Sequence, residues 1–101
     1  MLDDSEYIRC NVLDSIAESG GLVVLQLIGR DDGLFDVYRA KRGRLPETVE
    51  SGLTEQQARA YWARPLSEML RQMTTDEDEV AMLVTGRIES LFRRAAGTKA
   101  C

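Results

Sequence analysis

The sequence contains no histidine, and this absence excludes several classes of catalysis. Histidine is the commonest general acid–base residue and activates the nucleophile in Ser–His and Cys–His pairs. It is also a frequent zinc ligand, and the two cysteines, Cys10 and Cys101, do not have the paired CxxC spacing of a metal site. We therefore expect a protein that is not an enzyme and that has no metal site and no cofactor.

Long hydrophobic runs are also absent. The longest apolar stretch, Leu22–Ile28, is interrupted by Gln26 and is far shorter than the roughly 18 residues of a membrane-spanning helix. The first residues, MLDDSE, lack the apolar core of a secretory signal. We expect no membrane association, a cytoplasmic location and one globular domain over residues 1–101, with mobile last residues.

The sequence has fewer basic than acidic residues, and its net charge is −4. The excess of carboxylates lies in residues 1–28, which hold a single arginine. Because binding to nucleic acid depends on neutralising phosphates, an acidic chain is disfavoured as a direct nucleic-acid binder. It suits a partner with a basic surface, either another protein or a protein–RNA complex. A homo-oligomer is a further option.

The clearest helix signal lies in Gly52–Met73. Thr54 and Gln57 have the spacing of a capping box, and apolar residues then recur at three- and four-residue steps. Pro65 lies inside this pattern, and an interior proline costs about 3 kcal/mol or more. We therefore expect a kinked helix, or two short helices that meet near Arg64.

Two further helices and three strands are predicted around this segment. The first helix starts at Asp3, Asp4 or Ser5, runs to about Ser19 and buries Ile8, Val12, Leu13 and Ile16. Strands are predicted at Leu22–Ile28, Leu34–Ala40 and Leu45–Glu50, with Pro46 marking an edge strand. Thr74 or Thr75 caps the last helix, which ends at Gly97. The predicted fold is α+β, in the order α-β-β-β-α-α, with a three-stranded antiparallel sheet and helices packed on one face.

Three groups of residues are candidates for binding a partner. Four cations surround one predicted turn, and they suit either a contact with phosphates or an acidic partner, as in a small nucleic-acid-binding or regulatory module, or a solvated edge that prevents association between sheets: Arg39, Lys41, Arg42 and Arg44. Two sets of carboxylates suit either mimicry of nucleic-acid phosphates or the electrostatics of helix ends: Asp3, Asp4, Glu6, Asp14 and Glu18, then Asp76, Glu77, Asp78 and Glu79. Tyr61 and Arg64, beside Pro65, form a third candidate contact, whereas Trp62 suits the core.

The predicted order of elements resembles the double-stranded RNA-binding domain, whose second helix begins with a basic cluster. Here the corresponding helix begins Thr54-Glu55-Gln56-Gln57-Ala58-Arg59, with one anion and one cation, so RNA binding is not carried over. In size, charge and lack of active-site residues, the chain resembles the small phage-encoded anti-CRISPR inhibitors. That resemblance implies a protein that binds a CRISPR surveillance complex in the host cytoplasm and blocks access to target DNA.

Overall fold

The computed structural model describes residues 12–18 and 21–97 of the chain. These residues form four strands and two helices: β1 (Val12–Glu18), β2 (Val23–Gly29), β3 (Phe35–Lys41), β4 (Glu47–Leu53), α1 (Glu55–Arg71) and α2 (Glu77–Gly97). The strands make one antiparallel sheet in the order β1-β2-β3-β4. The predicted α+β class is confirmed, but the sheet has four strands and not three.

Strand β1 replaces the end of the helix that we expected before the sheet. Ile16 is 2% exposed and lies opposite Leu25 of β2, while its neighbours Ser15 and Ala17 are exposed, as the alternation of a strand requires. The helix prediction is therefore wrong over Val12–Glu18. Its first residues, including Asp3, Asp4 and Glu6, lie outside the described part of the chain.

A β-bulge explains why this strand has the spacing of a helix. The register between β1 and β2 shifts between Val12 and Asp14, so that one extra residue is inserted there. Leu13 consequently packs against the core together with Ile16, three positions later. Two core residues three apart are typical of a helical face, and the bulge produces the same spacing in a strand.

The other strands follow the predicted hydrophobic pattern closely. The strands predicted at Leu22–Ile28 and Leu34–Ala40 are confirmed as β2 and β3, each displaced by one residue. The strand predicted at Leu45–Glu50 begins two residues later and extends to Leu53. It lies at the edge of the sheet, where a preceding proline such as Pro46 removes no ladder hydrogen bond.

One face of the sheet carries both helices. Leu25 and Leu27, which alternate along β2, join a core to which α1 contributes Ala58, Trp62, Leu66 and Leu70, and α2 contributes Val80, Val84, Ile88, Leu91 and Phe92. Trp62 is fully buried. A tryptophan buries roughly 150–250 Å², which corresponds to about 4–6 kcal/mol at roughly 25 cal/mol per Å². Neither described helix combines the length and hydrophobicity needed to cross a membrane.

The start of α1 has the capping box that the sequence predicts. The Thr54 hydroxyl accepts from the Gln57 N–H at 3.2 Å, and the Gln57 side chain accepts from the Thr54 N–H at 3.0 Å. Helix α1 continues through Pro65 to Arg71, so the expectation of two short helices is wrong. Packing of its buried face outweighs the missing backbone hydrogen bond.

The start of α2 differs from the prediction, because its cap is Asp76. The Oδ1 atom of Asp76 accepts from the backbone N–H groups of Asp78 and Glu79, at 3.0 and 3.3 Å. Thr74 was a predicted cap, but its hydroxyl accepts from the Asp76 N–H at 3.3 Å and so orders the turn before the helix. Since aspartate is at least as good a cap as threonine, the acidic residue takes the position.

The proline in α1 gives a stability prediction. Replacing Pro65 by alanine restores an N–H that can donate to the Tyr61 carbonyl, four residues earlier. We expect the free energy of unfolding to rise by about 1–3 kcal/mol in urea titrations. The control is Arg64→Ala at the exposed neighbouring position, which should change stability by less than about 0.5 kcal/mol. A loss of stability in Pro65→Ala would contradict the prediction.

Candidate binding surfaces

The turn between β3 and β4 exposes three cations at its tip. The Arg44 N–H donates to the Lys41 carbonyl at 3.1 Å, and Gly43 has a φ of 77°, which glycine adopts without strain. This tight turn leaves Lys41, Arg42 and Arg44 exposed. Among the ion pairs of residues 12–18 and 21–97, none involves these three side chains. Their charges are therefore available to a partner.

Arg39 was predicted to belong to the same cluster, but the structure gives it acidic neighbours. It lies opposite Glu47 of β4, and its Nε is 3.9 Å from Oε2 of Glu18 at the end of β1. The Arg39 side chain is 40% exposed, so this long ion pair contributes little to stability. Glu18 nevertheless partly offsets its charge, whereas none of the ion pairs among the described residues offsets the three cations at the turn.

Two exposed leucines lie at the same end of the sheet as these cations. Leu45 directly follows the turn and is 79% exposed. Leu22, which is 65% exposed, precedes Val23, and Val23 pairs with Lys41 at the end of β3. A single exposed leucine is ordinary, but two beside three unpaired cations form a mixed apolar and basic surface. We call Leu22, Lys41, Arg42, Arg44 and Leu45 the basic tip.

The acidic residues at the start of α2 are largely engaged in forming the helix. Asp76 is the cap, Glu77 pairs with Arg71 through an Oε1–Nε distance of 3.2 Å, and Glu79 accepts from the Thr74 hydroxyl at 3.4 Å. All are exposed, and negative charge in a first turn is favoured by the helix dipole. Asp78 alone of the four has no side-chain hydrogen bond or ion pair in the part of the chain described.

Asp14 was predicted to lie on an acidic surface, and the structure places it instead between the sheet and both helices. Its side chain is 10% exposed. The Oδ2 atom accepts from Trp62 Nε1 at 2.9 Å and from Arg87 Nε at 3.0 Å, while Oδ1 accepts from Arg87 Nη2 at 2.5 Å. Asp14 therefore links β1 to α1 and α2. Its side chain has little exposed surface with which to contact a partner.

The remaining predicted contacts differ in exposure. Tyr61 is half-buried and packs against the core, so it presents less surface than an exposed anchor would. Arg64 is exposed and has no ion pair within the described residues. Asp3, Asp4 and Glu6 lie outside the described residues.

A second polar cluster, on the opposite face of the sheet, was missed from the sequence. Asp36 is 6% exposed, and its Oδ1 accepts from the Gly52 N–H at 2.9 Å and from the Ser51 hydroxyl at 3.1 Å. Arg30 lies 3.4 Å from the same oxygen and 2.6 Å from Asp32. Desolvation lowers the pKa of Arg30, the two carboxylates raise it by more, and the net shift is upward. These contacts join β4 to β3 and leave the cluster satisfied.

Comparison with known proteins does not place this chain in a family. No protein-family model, curated protein or solved structure matches the chain. Across residues 12–18 and 21–97, no three acidic or cysteine side chains are grouped so that they could hold a metal ion. The basic tip therefore has to be interpreted from its own charge, exposure and geometry.

The Asp14 contacts give a prediction for stability. Asp14→Ala removes the charge that faces Arg87, whose side chain is 38% exposed, and the acceptor of the buried Trp62 N–H, so we expect a loss of about 1–3 kcal/mol in urea unfolding. Asp14→Asn retains one acceptor and should lose less. The control is Glu68→Ala, an exposed carboxylate of α1, which should change stability by less than about 0.5 kcal/mol. Equal effects of Asp14→Ala and Glu68→Ala would show that the buried contacts do not stabilise the fold.

Proposed function

We propose that this protein is not an enzyme and acts as an inhibitor or adaptor that binds to the surface of another protein. The observation that carries the proposal is the basic tip, with three unpaired cations and two exposed leucines at one end of the sheet. Arginine makes paired hydrogen bonds to carboxylates, and it is enriched where interfaces concentrate their binding energy. The tip therefore fits an acidic site with an apolar pocket on the partner.

A second surface on the same protein has the opposite charge. The exposed start of α2 presents carboxylates, with Asp78 the least engaged of them. This surface suits a basic region of the partner, and electrostatic complementarity of this kind raises the rate and specificity of association. A partner that offers acidic and basic regions together, such as a protein–RNA complex, matches both surfaces.

The resemblance to anti-CRISPR inhibitors suggests a narrower version of this proposal. In that version the partner is a CRISPR surveillance complex in the host cytoplasm, and the protein blocks access to target DNA. The net charge of −4 supports it, because carboxylates can occupy a groove that otherwise binds phosphates. The same net charge weighs against an alternative in which the basic tip binds nucleic acid directly.

The basic tip can be tested by affinity capture from the native host with purified protein as bait. The variant Lys41→Gln/Arg42→Gln/Arg44→Gln removes three charges without changing the turn glycine, and Leu45→Ser removes the exposed apolar group. We expect each to lower capture of the partner by about tenfold or more, which corresponds to a loss of about 1.4 kcal/mol or more in binding free energy.

The matched control is Arg39→Gln, which lies on the same hairpin but has its charge partly offset by Glu18 and lies opposite Glu47. It should capture the partner within about twofold of the natural protein. Capture that is unaffected by the tip variants would place the contact elsewhere. Binding of the tip to a DNA or RNA duplex, with a steep dependence on salt, would favour the nucleic-acid alternative.

The narrower version has its own experiment. A purified surveillance complex is mixed with the protein, and binding of target DNA is followed by gel shift. We expect stoichiometric protein to prevent DNA binding, and the tip variants to require at least about tenfold more protein for the same effect. Unchanged DNA binding in excess protein, with each type of surveillance complex from the native host, would refute the anti-CRISPR version and leave the broader proposal to the capture experiment.

A further inference from the structure

The outward side of α2 carries a continuous stripe of exposed residues. At three- and four-residue steps the stripe runs through Glu79, Met82 and Leu83, Gly86, Ser90 and Arg93. All are exposed, and the two apolar members are unusually so, with Met82 at 70% and Leu83 at 43%. The opposite side of α2 packs into the core, so this stripe is a helix face that no described residue covers.

Gly86 lies midway between the charged ends of the stripe. Glu79 and Arg93 lie at equal distances in sequence on either side of Gly86, and so do Met82 and Ser90. If a second copy of α2 is laid antiparallel across the first, with a two-fold axis at Gly86, Glu79 of each copy lies opposite Arg93 of the other. The charges are thus complementary at both ends, which is the condition for an interface between identical surfaces.

The environment of Gly86 supports a close approach of two helices at this position. A Cβ atom built on Gly86 would meet no atom of a neighbouring described residue within 4 Å, so packing among residues 12–18 and 21–97 does not require glycine there. Glycine in the interior of a helix costs roughly 1 kcal/mol relative to alanine. A residue without a side chain at the centre of the stripe lets the backbones of two helices approach, as small residues do at other helix–helix contacts.

We propose that the stripe on α2 is the interface of a symmetric antiparallel dimer of this protein. Two pairs of Glu79 and Arg93 flank the interface, and Met82 and Leu83 of both copies lose water near its centre. The pairing extends over Glu79–Arg93, about 21 Å of helix, which places it among small interfaces and makes the dimer dependent on concentration. This inference goes beyond the proposed function, which a monomer can perform through the basic tip.

The first test changes the centre of the stripe to Gly86→Gln. The new side chain has open space in the monomer, and glutamine is a better helix former than glycine, so the melting temperature of dilute protein should rise. Two such side chains collide at the two-fold axis. We therefore expect dimerisation, measured by sedimentation equilibrium, to weaken about tenfold or more. The control is Ala81→Gln, which is exposed on α2 outside the stripe and should leave dimerisation unchanged.

The second test reverses the charges at the ends. Glu79→Arg and Arg93→Glu each place like charges opposite one another, so each variant alone should dimerise about tenfold more weakly. An equimolar mixture of the two should regain dimers, and so should the doubly reversed chain. Circular dichroism verifies that the variants are folded.

The outcomes separate this inference from the proposed function. Failure of the natural protein to dimerise at concentrations up to about 1 mM, or dimerisation of Gly86→Gln as strong as that of the natural chain, would overturn the inference. Gly86 belongs neither to the basic tip nor to the acidic start of α2, so Gly86→Gln should bind the partner as the natural monomer does. If the tip variants no longer capture the partner but dimerise as the natural protein does, the proposed function is supported independently of the dimer.

Discussion

The fold depends most on the position of one carboxylate, that of Asp14. A buried charge is tolerated only when it is paired and hydrogen-bonded. Besides the N–H of its neighbour Ser15, Asp14 takes its ion pair from Arg87 of α2 and a hydrogen bond from Trp62 of α1. The strand, the first helix and the second helix must therefore be positioned together. Shifting β1 by one residue would turn Asp14 to the other face of the sheet and leave Arg87 and the Trp62 N–H without their acceptor. The charge thus penalises a shifted register through the loss of these contacts, in addition to the loss of apolar packing.

Features that depend on neighbours in sequence could be predicted. The capping box of Thr54 and Gln57 involves residues three apart, and it forms as expected at the start of α1. The apolar run Leu22–Ile28 likewise carries its own signal for a strand. At the candidate site, the cluster of cations around Arg42 is visible in the sequence because a tight turn with glycine exposes its residues.

Features that depend on distant residues could not be predicted. Strand β1 presents a charge to the core at Asp14, and its partners lie 48 and 73 residues away. Its bulge brings Leu13 beside the core residue Ile16, so the spacing indicates a helix. The full set of residues in the basic tip could not be predicted for the same reason. Only the sheet register places Leu22 beside the hairpin and sets Glu18 against Arg39.

The two proposed surfaces also differ in what kind of recognition they permit. The basic tip has one sign of charge, so two tips repel and the tip is suited to a different molecule. The stripe on α2 has both signs, ordered symmetrically about Gly86, so it is suited to its own copy. A dimer formed through α2 would carry two basic tips. If a partner displays two acidic sites at the separation of the two tips, binding of the first tip makes binding of the second intramolecular. Two tips that each bind weakly can then bind tightly together.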